Sequence, residues 1–203
     1  IRAALGEFEE NRPYSDIGYE KLDSDENKAL NLKASEETMV LLKNENNFLP
    51  LNKSEFKKVA VVGPNSMSHL ALAGNYFGHA SEYVTLADGI RREFTDSKIF
   101  VADGSHLCSE VKSSWDGFEY LYSEGMAAAS ESDLTVLCVG LDRTIEGEDT
   151  NHSNEFSSCG DKNTLYLPAT QMKLAEAICD VTDNLIVVIT CGSAIDLGEK
   201  VRK

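Results

Sequence analysis

The chain has 203 residues, which is the size of one α/β domain with an appended segment. Hydrophobic residues make up 42% of it and charged residues 26%, a balance that excludes collagen-like, disordered and coiled-coil proteins. Asp and Glu outnumber Lys and Arg by 34 to 19, so the formal net charge is −15. Such a chain repels phosphate backbones and anionic lipid, and we therefore expect neither nucleic acid nor a membrane as a partner.

The start of the chain and its cysteines bear on its origin. It opens Ile1-Arg2-Ala3 without a Met, so we expect a fragment or a processed product. The five cysteines form no CxxC pair, and Cys138 and Cys191 are predicted to lie in apolar strands, which favours reduced thiols and a cytoplasmic compartment. Two tripeptides, Asn52-Lys53-Ser54 and Asn151-His152-Ser153, match the N-glycosylation pattern and keep secretion open.

The first part of the chain differs in character from the rest. Residues 1–25 are polar, contain scattered aromatics and show no sustained period, which predicts a linker or the tail of a preceding domain. Leu30, Ala34, Thr38 and Leu41 then follow one another at helical spacing, and this predicts a helix over residues 25–44.

From residue 58 onward, predicted strands and helices alternate. The strands are predicted at 58–63, 98–102, 134–140 and 185–191, and the helices at 85–94, 116–130 and 168–180. Thr85 followed by Asp88 predicts a helix N-cap, and Pro168 is expected in the first turn of its helix. The alternation predicts an open, mostly parallel sheet with helices on both faces, which is an α/β sandwich.

In such a sheet the ligand crevice lies beyond the carboxyl ends of the strands. Three predicted connections leave those ends: 64–84, 141–167 and the segment after Cys191. The first two are longer than such connections usually are, and long loops at this edge commonly carry function. We therefore expect the functional site there.

Several well-known motifs are absent from the sequence. It contains no GxGxxG, no Walker sequence and no Gly-x-Ser-x-Gly elbow, which disfavours nucleotide binding and one large class of hydrolases. The histidines are not spaced as metal ligands; they are His69, His79, His106 and His152. We expect neither a metal nor an organic cofactor.

The densest group of chemically useful side chains lies in the 141–167 connection, at Glu146, Glu148 and Asp149. Neighbouring carboxylates disfavour one another's ionised forms, as a general acid that works near neutral pH requires. In an extended segment Glu146 and Glu148 would share a face and Asp149 would point away. A solvated acidic loop has the same composition, so the residues alone leave both interpretations open.

Several strings, in order, resemble the second domain of glycoside hydrolase family 3 and the linker into it. They lie at 40–45, 49–51, 58–65, 74–76, 84–90, 139–142, 165–168 and 191–193. The Gly-Asn-Tyr string at 74–76 and the Gly-Leu-Asp-Arg-Thr-Ile-Glu string at 140–146 are most similar to the β-xylosidase and α-arabinofuranosidase branch, with β-glucosidases next.

The resemblance implies a division of labour between two domains. In this family a barrel domain carries an aspartate nucleophile, and the α/β sandwich domain carries the glutamate acid/base. Residues 26–203 would then be the sandwich domain, incomplete at its C-terminal end, and residues 1–25 would belong to the linker or tail of a missing barrel. The implied partners are that barrel and an oligosaccharide or glycoside substrate of a retaining exo-β-glycosidase.

The resemblance also implies site residues. The family's acid/base stands in a Glu-x-x-Asp-Arg string and is the second Glu of a Glu-x-Glu pair, which implies Glu148, with Glu146 as the alternative. The implied substrate-binding residues are Asn75, Tyr76 and Asp142.

One departure from the family pattern lies inside this string. The Asp-Arg pair is matched by Asp161-Lys162, thirteen positions after Glu148 instead of about three, so the chain carries an insertion here. Lys lacks the bidentate fork of Arg. Displacement of the acid to Glu155 or Asp161 therefore stays open, as does a non-catalytic ligand-binding or interaction module of the same fold.

Overall fold

The computed structural model describes residues 1–12, 14–113, 115, 117–147, 156–158 and 160–203. They divide into two units, Ile1–Pro50 and Leu51–Lys203. The assignment of residues 1–25 to an interdomain linker, with the domain proper starting at residue 26, stays a prediction.

Among its described residues the first unit contains one α-helix, α1 (Asp25–Thr38). Ser24 is its N-cap, and the Ser24 hydroxyl accepts a hydrogen bond from the Asn27 N–H at 3.3 Å. The helix ends at Thr38 and not at residue 44 as predicted, because Met39 is extended. Further along, the Asn44 side chain bonds both backbone groups of Leu49 at 2.9 Å, a turn that competes with helix.

The second unit is built on a sheet of four parallel strands. The strands of the chain, in order, are β1 (Lys58–Val62), β2 (Lys98–Ala102), β3 (Leu134–Gly140), β4 (Ser157–Ser158), β5 (Asp161–Lys162) and β6 (Leu185–Thr190). The order across the main sheet is β2-β1-β3-β6. Its register places Val61 between Val101 and Val136, and Val136 pairs in turn with Ile186.

Helices alternate with these strands. They are α2 (Leu86–Glu93), α3 (Phe118–Ser130), α4 (Ala169–Ile178) and α5 (Gly198–Arg202). Residues of α3 and α4 pack on the sheet face that carries Val62, Leu137 and Val139, whereas Val59 and Val61 are buried on the opposite face. This open parallel sheet with its helices confirms the predicted fold class.

The ends of two helices test the sequence signals directly. The predicted Thr85 N-cap is confirmed: its hydroxyl accepts from the Asp88 N–H at 3.2 Å, and the Asp88 carboxylate accepts from the Thr85 N–H at 3.2 Å. Pro168, in contrast, is the N-cap of α4 and not a first-turn residue. Its carbonyl accepts from the N–H groups of Gln171 and Met172, both at 3.0 Å.

The two cysteines that were predicted to lie in apolar strands differ in burial. Cys138 is fully buried in β3, and burial raises the pKa of its thiol to about 12. Cys191 was expected inside the last strand, but β6 ends at Thr190 and Cys191 is exposed.

In the described ranges no helix has the length and apolar character needed to cross a bilayer.

Candidate active site

Two glycines bring the backbones together at the carboxyl edge of the sheet. Gly63 follows β1 with φ +128°, and Gly140 ends β3 with φ +141°. A Cβ on Gly63 would lie 2.0 Å from the Cys138 carbonyl oxygen, and a Cβ on Gly140 would lie 2.0 Å from that of Thr190. Only glycine fits so close to a neighbouring backbone. At both positions the chain therefore leaves its strand in direct contact with the backbone of the adjacent strand.

Three connections from this edge meet at Glu146. The Asn75 side-chain amide, from the connection after β1, donates to the Glu146 carbonyl oxygen at 3.2 Å. The Ser193 hydroxyl, from the segment after β6, donates to Oε1 of Glu146 at 2.5 Å. The Glu146 N–H donates to the Asp142 carbonyl oxygen at 3.1 Å, which closes a turn directly after β3. Glu146 is therefore fixed through its backbone and its side chain.

Lys162 completes this arrangement from β5. Its Nζ donates to the Ser193 hydroxyl at 2.7 Å and also to the Ala194 carbonyl oxygen, and it lies 4.0 Å from Oε1 of Glu146. The side chains of Lys162 and Glu146 are only 10% and 24% exposed. Opposite charges thus face each other where little water separates them, which strengthens their attraction.

Backbone contacts join the two arms of the connection that contains Glu146. The Gly147 N–H donates to the Gly160 carbonyl oxygen at 3.2 Å, and the Asn163 N–H donates to that of Phe156 at 3.0 Å. Gly160 has φ +84°, and a Cβ there would lie 2.3 Å from the Gly147 carbonyl oxygen, so a side chain is excluded. Beneath these arms the side chains of Leu141, Ile145 and Phe156 form a buried cluster.

The short β4 and β5 strands, which pair antiparallel in these arms, were not predicted. Two-residue strands are too short to show any hydrophobic period, so the sequence of this long polar connection gives no sign of them.

A cleft of about 230 Å³ lies at the same edge, on the side of Asp142 away from β6. Its lining includes Asp103, Ser105 and His106, which follow β2. Burial raises the pKa of Asp103 although the nearby His106 opposes the shift. Ser105 is buried, and its hydroxyl has no hydrogen-bond partner among the described residues.

The structure places some of the sequence-predicted site residues and not others. Glu148 lies outside the described residues, as do Asp149 and Glu155. Asn75 contacts Glu146, as given above. The Asp142 carboxylate accepts from the N–H and hydroxyl of Thr144, at 2.8 and 2.5 Å, so it is engaged within its own turn.

Tyr76 stands apart from these contacts. It is 89% exposed and has φ +60°, a left-handed conformation that is uncommon for a residue with a side chain. Next to it, the centroid of the Phe77 ring lies 4.4 Å from the Arg143 guanidinium carbon, a cation–π contact between the connections after β1 and β3.

The contacts of Lys162 and Ser193 with each other and with Glu146 were not predicted from the sequence. In the sequence, Lys162 stands where the family pattern has an arginine, and Ser193 belongs to the string at 191–193 that resembles the family. The signal that was available is the adjacency of strand ends, because parallel neighbours such as β3 and β6 deliver their following loops to one place. Among the described residues, no group of three or more His, Cys, Asp or Glu is placed to hold a metal ion.

Known sequences of one group of glycoside hydrolases are similar to this chain. The sequence model of the Glycosyl hydrolase family 3 C-terminal domain matches residues 39–203. A β-xylosidase of Formosa agariphila is 32% identical over 201 residues, which cover 96% of this chain and 25% of that protein. Beta-D-xylosidase 1 of Arabidopsis thaliana is 32% identical over 199 residues, covering 97% and 23%. The chain thus spans about a quarter of the length of the curated relatives it matches.

Solved structures agree with the sequence comparison. A GH3 exo-β-xylosidase (XlnD), in complex with a xylobiose aziridine activity-based probe, superposes with a TM-score of 0.71 at 28% identity. The match covers 89% of this chain and 21% of that one. A β-glucosidase from Erythrobacter marinus superposes with a TM-score of 0.62 at 28% identity, covering 82% and 24%.

Proposed function

Because this chain belongs to glycosyl hydrolase family 3, with residues 39–203 matching the C-terminal domain of that family, we propose that it supplies the general acid/base of a retaining exo-β-glycosidase. The similar proteins are named as β-xylosidases and β-glucosidases, so the proposed substrate is a β-xyloside, a β-glucoside or an oligosaccharide that ends in one. The observation that carries the proposal is the meeting of three strand-end connections at Glu146, two positions before Glu148.

Glu148 is the proposed acid/base, and the contacts of Glu146 support this choice. Oε1 of Glu146 already accepts from Ser193 and faces Lys162. A general acid has to present a proton to the glycosidic oxygen, and Oε1 of Glu146 would have to break these contacts to do so. Glu146 is better suited to hold the segment in place, which leaves Glu148 for the chemistry.

The proposed reaction has two steps and needs a second carboxylate. In the first, the nucleophile, an aspartate of a barrel domain elsewhere in the protein, attacks the anomeric carbon while Glu148 protonates the leaving oxygen. In the second, the Glu148 carboxylate takes a proton from water as the water attacks the glycosyl-enzyme. Retention requires the two carboxyl groups to lie about 5–5.5 Å apart, so both domains have to contribute to one crevice.

Three further residues are proposed to bind substrate. Asn75 lies against Glu146 and offers its side-chain amide to sugar hydroxyls at this edge. Asp142 lines the neighbouring cleft, and its Oδ2, which takes no part in the two Thr144 hydrogen bonds, is the atom proposed to accept from a sugar hydroxyl. Tyr76 presents an exposed ring, a surface on which the apolar face of a sugar can stack.

The proposal is tested by leaving-group dependence in the whole enzyme, barrel included. We expect Glu148→Gln to lower kcat/KM on an unactivated disaccharide by about 10²–10⁴-fold, and to affect a dinitrophenyl glycoside far less, because a good leaving group needs no acid. Azide should rescue Glu148→Ala on the activated substrate by attacking the glycosyl-enzyme. Glu176→Gln, which changes an exposed carboxylate of α4, is the matched control.

The same substrates decide between the carboxylates. If Glu146→Gln shows the leaving-group dependence and Glu148→Gln does not, the acid/base is Glu146. If neither shows it, Glu155→Gln and Asp161→Asn are compared on the same two substrates, because the insertion leaves these carboxylates as the remaining candidates. If none of the four variants shows it, the domain is non-catalytic.

A further inference from the structure

We infer that Lys162 is a positioning residue for the acid/base segment, acting through Ser193 on Glu146. These three side chains are called the clamp below. The inference rests on the proposed function and extends it, since it assigns a role to a lysine that touches neither the substrate nor the reacting atoms.

The hydrogen bonds of the clamp run in one direction. Nζ of Lys162 donates to the Ser193 oxygen at 2.7 Å, and the Ser193 hydroxyl spends its single proton on Oε1 of Glu146 at 2.5 Å. The Ala194 carbonyl oxygen accepts a second Nζ–H bond and fixes the ammonium on the segment after β6. Each partner therefore has a defined donor or acceptor role, and the geometry of Glu146 depends on the lysine.

Burial separates the clamp from the other ion pairs of the domain. Lys162 and Glu146 are 10% and 24% exposed, whereas the side chains of Lys200 and Asp180 are 43% and 64% exposed. Exposed pairs contribute little, but removal of one partner from a poorly solvated pair leaves the other charge without compensation. Loss of Lys162 should therefore force Glu146 out of its present position.

A displacement of Glu146 would also shift the proposed acid, because only Gly147 separates the two residues along the backbone. Glu146 and Gly147 directly precede Glu148, and Gly147 is tied to Gly160, two residues before Lys162. The clamp thus fixes the segment on the near side of Glu148. A general acid that is misplaced by about 1 Å can lose about 10²-fold in rate, so a clamp of this kind has a measurable effect without touching substrate.

The test uses Lys162→Met and Ser193→Ala in the whole enzyme, with Lys200→Met as the control that removes an exposed ion pair. We expect the two clamp variants to lose about 10–100-fold in kcat/KM on an unactivated disaccharide, and less than about 3-fold on a dinitrophenyl glycoside. Lys162→Arg keeps the charge and should lie closer to the parent enzyme than Lys162→Met. Lys200→Met should match the parent on both substrates.

Two results would overturn the inference: an equal loss on both substrates, which indicates a merely structural role, or no loss on either. If Lys162→Met does not fold, Ser193→Ala decides alone by the same comparison. Failure of the proposed function is distinguishable, because then no variant at Glu148, Glu146, Glu155 or Asp161 shows leaving-group dependence. If Glu148→Gln shows it and the clamp variants do not, only the present inference fails.

Discussion

The side-chain amide of Gln171 forms two hydrogen bonds with the backbone of Gly140. The Gly140 N–H donates to Oε1 at 2.9 Å, and Nε2 donates back to the Gly140 carbonyl oxygen at 2.8 Å. Nε2 also donates to the Leu107 carbonyl oxygen at 2.6 Å. Because Gln171 is completely buried, one side chain of α4 fixes the end of β3 and the connection after β2 where no water can substitute.

We expect Gln171→Leu to lower the free energy of unfolding by about 1–3 kcal/mol, since the backbone groups of Gly140 and Leu107 lose a buried partner. Denaturant unfolding measures this. Glu176→Gln, on the exposed side of the same helix, is the control and should change the value by less than about 0.5 kcal/mol. Equal effects of the two changes would show that the amide has no special role.

Gly140 should not tolerate any side chain. Gly140→Ala combines φ +141° with a Cβ 2.0 Å from the Thr190 carbonyl oxygen, and we expect a loss of about 3 kcal/mol or more, or failure to fold. Gly89→Ala is the matched control, because no atom lies within 4 Å of its Cβ and its position is helical. That change should stabilise by about 0.5–1 kcal/mol, and thermal unfolding of both variants checks the contrast.

Asp133 should make stability depend on pH. Its carboxylate accepts from the N–H groups of Lys58 and Lys57, each at 2.9 Å, and these bonds lower its pKa. A lowered pKa means that the stabilisation is present above the ordinary Asp value of about 3.9 and is lost as pH falls through the folded-state value.

Asp133→Asn should therefore be less stable than the parent at pH 7 and should lose less stability between about pH 5 and pH 2. Urea unfolding across that range measures it. Asp96→Asn, an exposed aspartate between α2 and β2, serves as the control. Parallel pH curves for Asp133→Asn and the parent would contradict the assignment.

The 203-residue chain by itself is expected to hydrolyse no nitrophenyl xyloside, arabinoside or glucoside at a useful rate. The proposed nucleophile lies elsewhere in the protein, and a positioned acid contributes only about 10²–10⁴-fold. Robust turnover by the purified chain that Glu148→Gln abolishes would contradict this expectation. It would mean that the nucleophile and the acid/base both lie within the 203 residues.

The edge strand β6 (Leu185–Thr190) predicts association of the same chain. It is apolar along most of its length and lies at one side of the sheet, where an unprotected edge offers backbone groups to another strand. Light scattering at rising concentration should show assembly. Val188→Lys, a charge placed on this strand, should reduce it, and a strictly monomeric parent chain would refute the expectation.

Local signals in the sequence predicted the elements of the second unit well. The runs that became β1 and β6 are β-branched, apolar and bounded by turn residues, so their limits fell within a residue of those observed. Thr85 and Asp88 are three residues apart, and their capping box depends on nothing farther away. By contrast, the end of α1 at Thr38 was missed, since residues 39–44 have a composition that suits a helix.

Contacts between distant residues were beyond prediction from one sequence. Ser193 lies 47 positions after Glu146, and Gln171 lies 31 positions after Gly140. Strand-end topology indicates that such loops converge, but it fixes neither the order β2-β1-β3-β6 nor which side chains touch. The engagement of Glu146, which bears most on the choice of acid, was therefore visible only in three dimensions.

The hydrogen bond between Gly147 and Gly160 closes this connection at its base. We therefore expect changes of length between the two glycines to leave Glu146 and Lys162 in their places. Loop-closure entropy grows only with the logarithm of length, and doubling such a connection costs only about 0.6 kcal/mol. Changes of length between Glu148 and Asp161 are therefore expected to have little effect on stability as long as the contacts of Glu146 and Lys162 are kept.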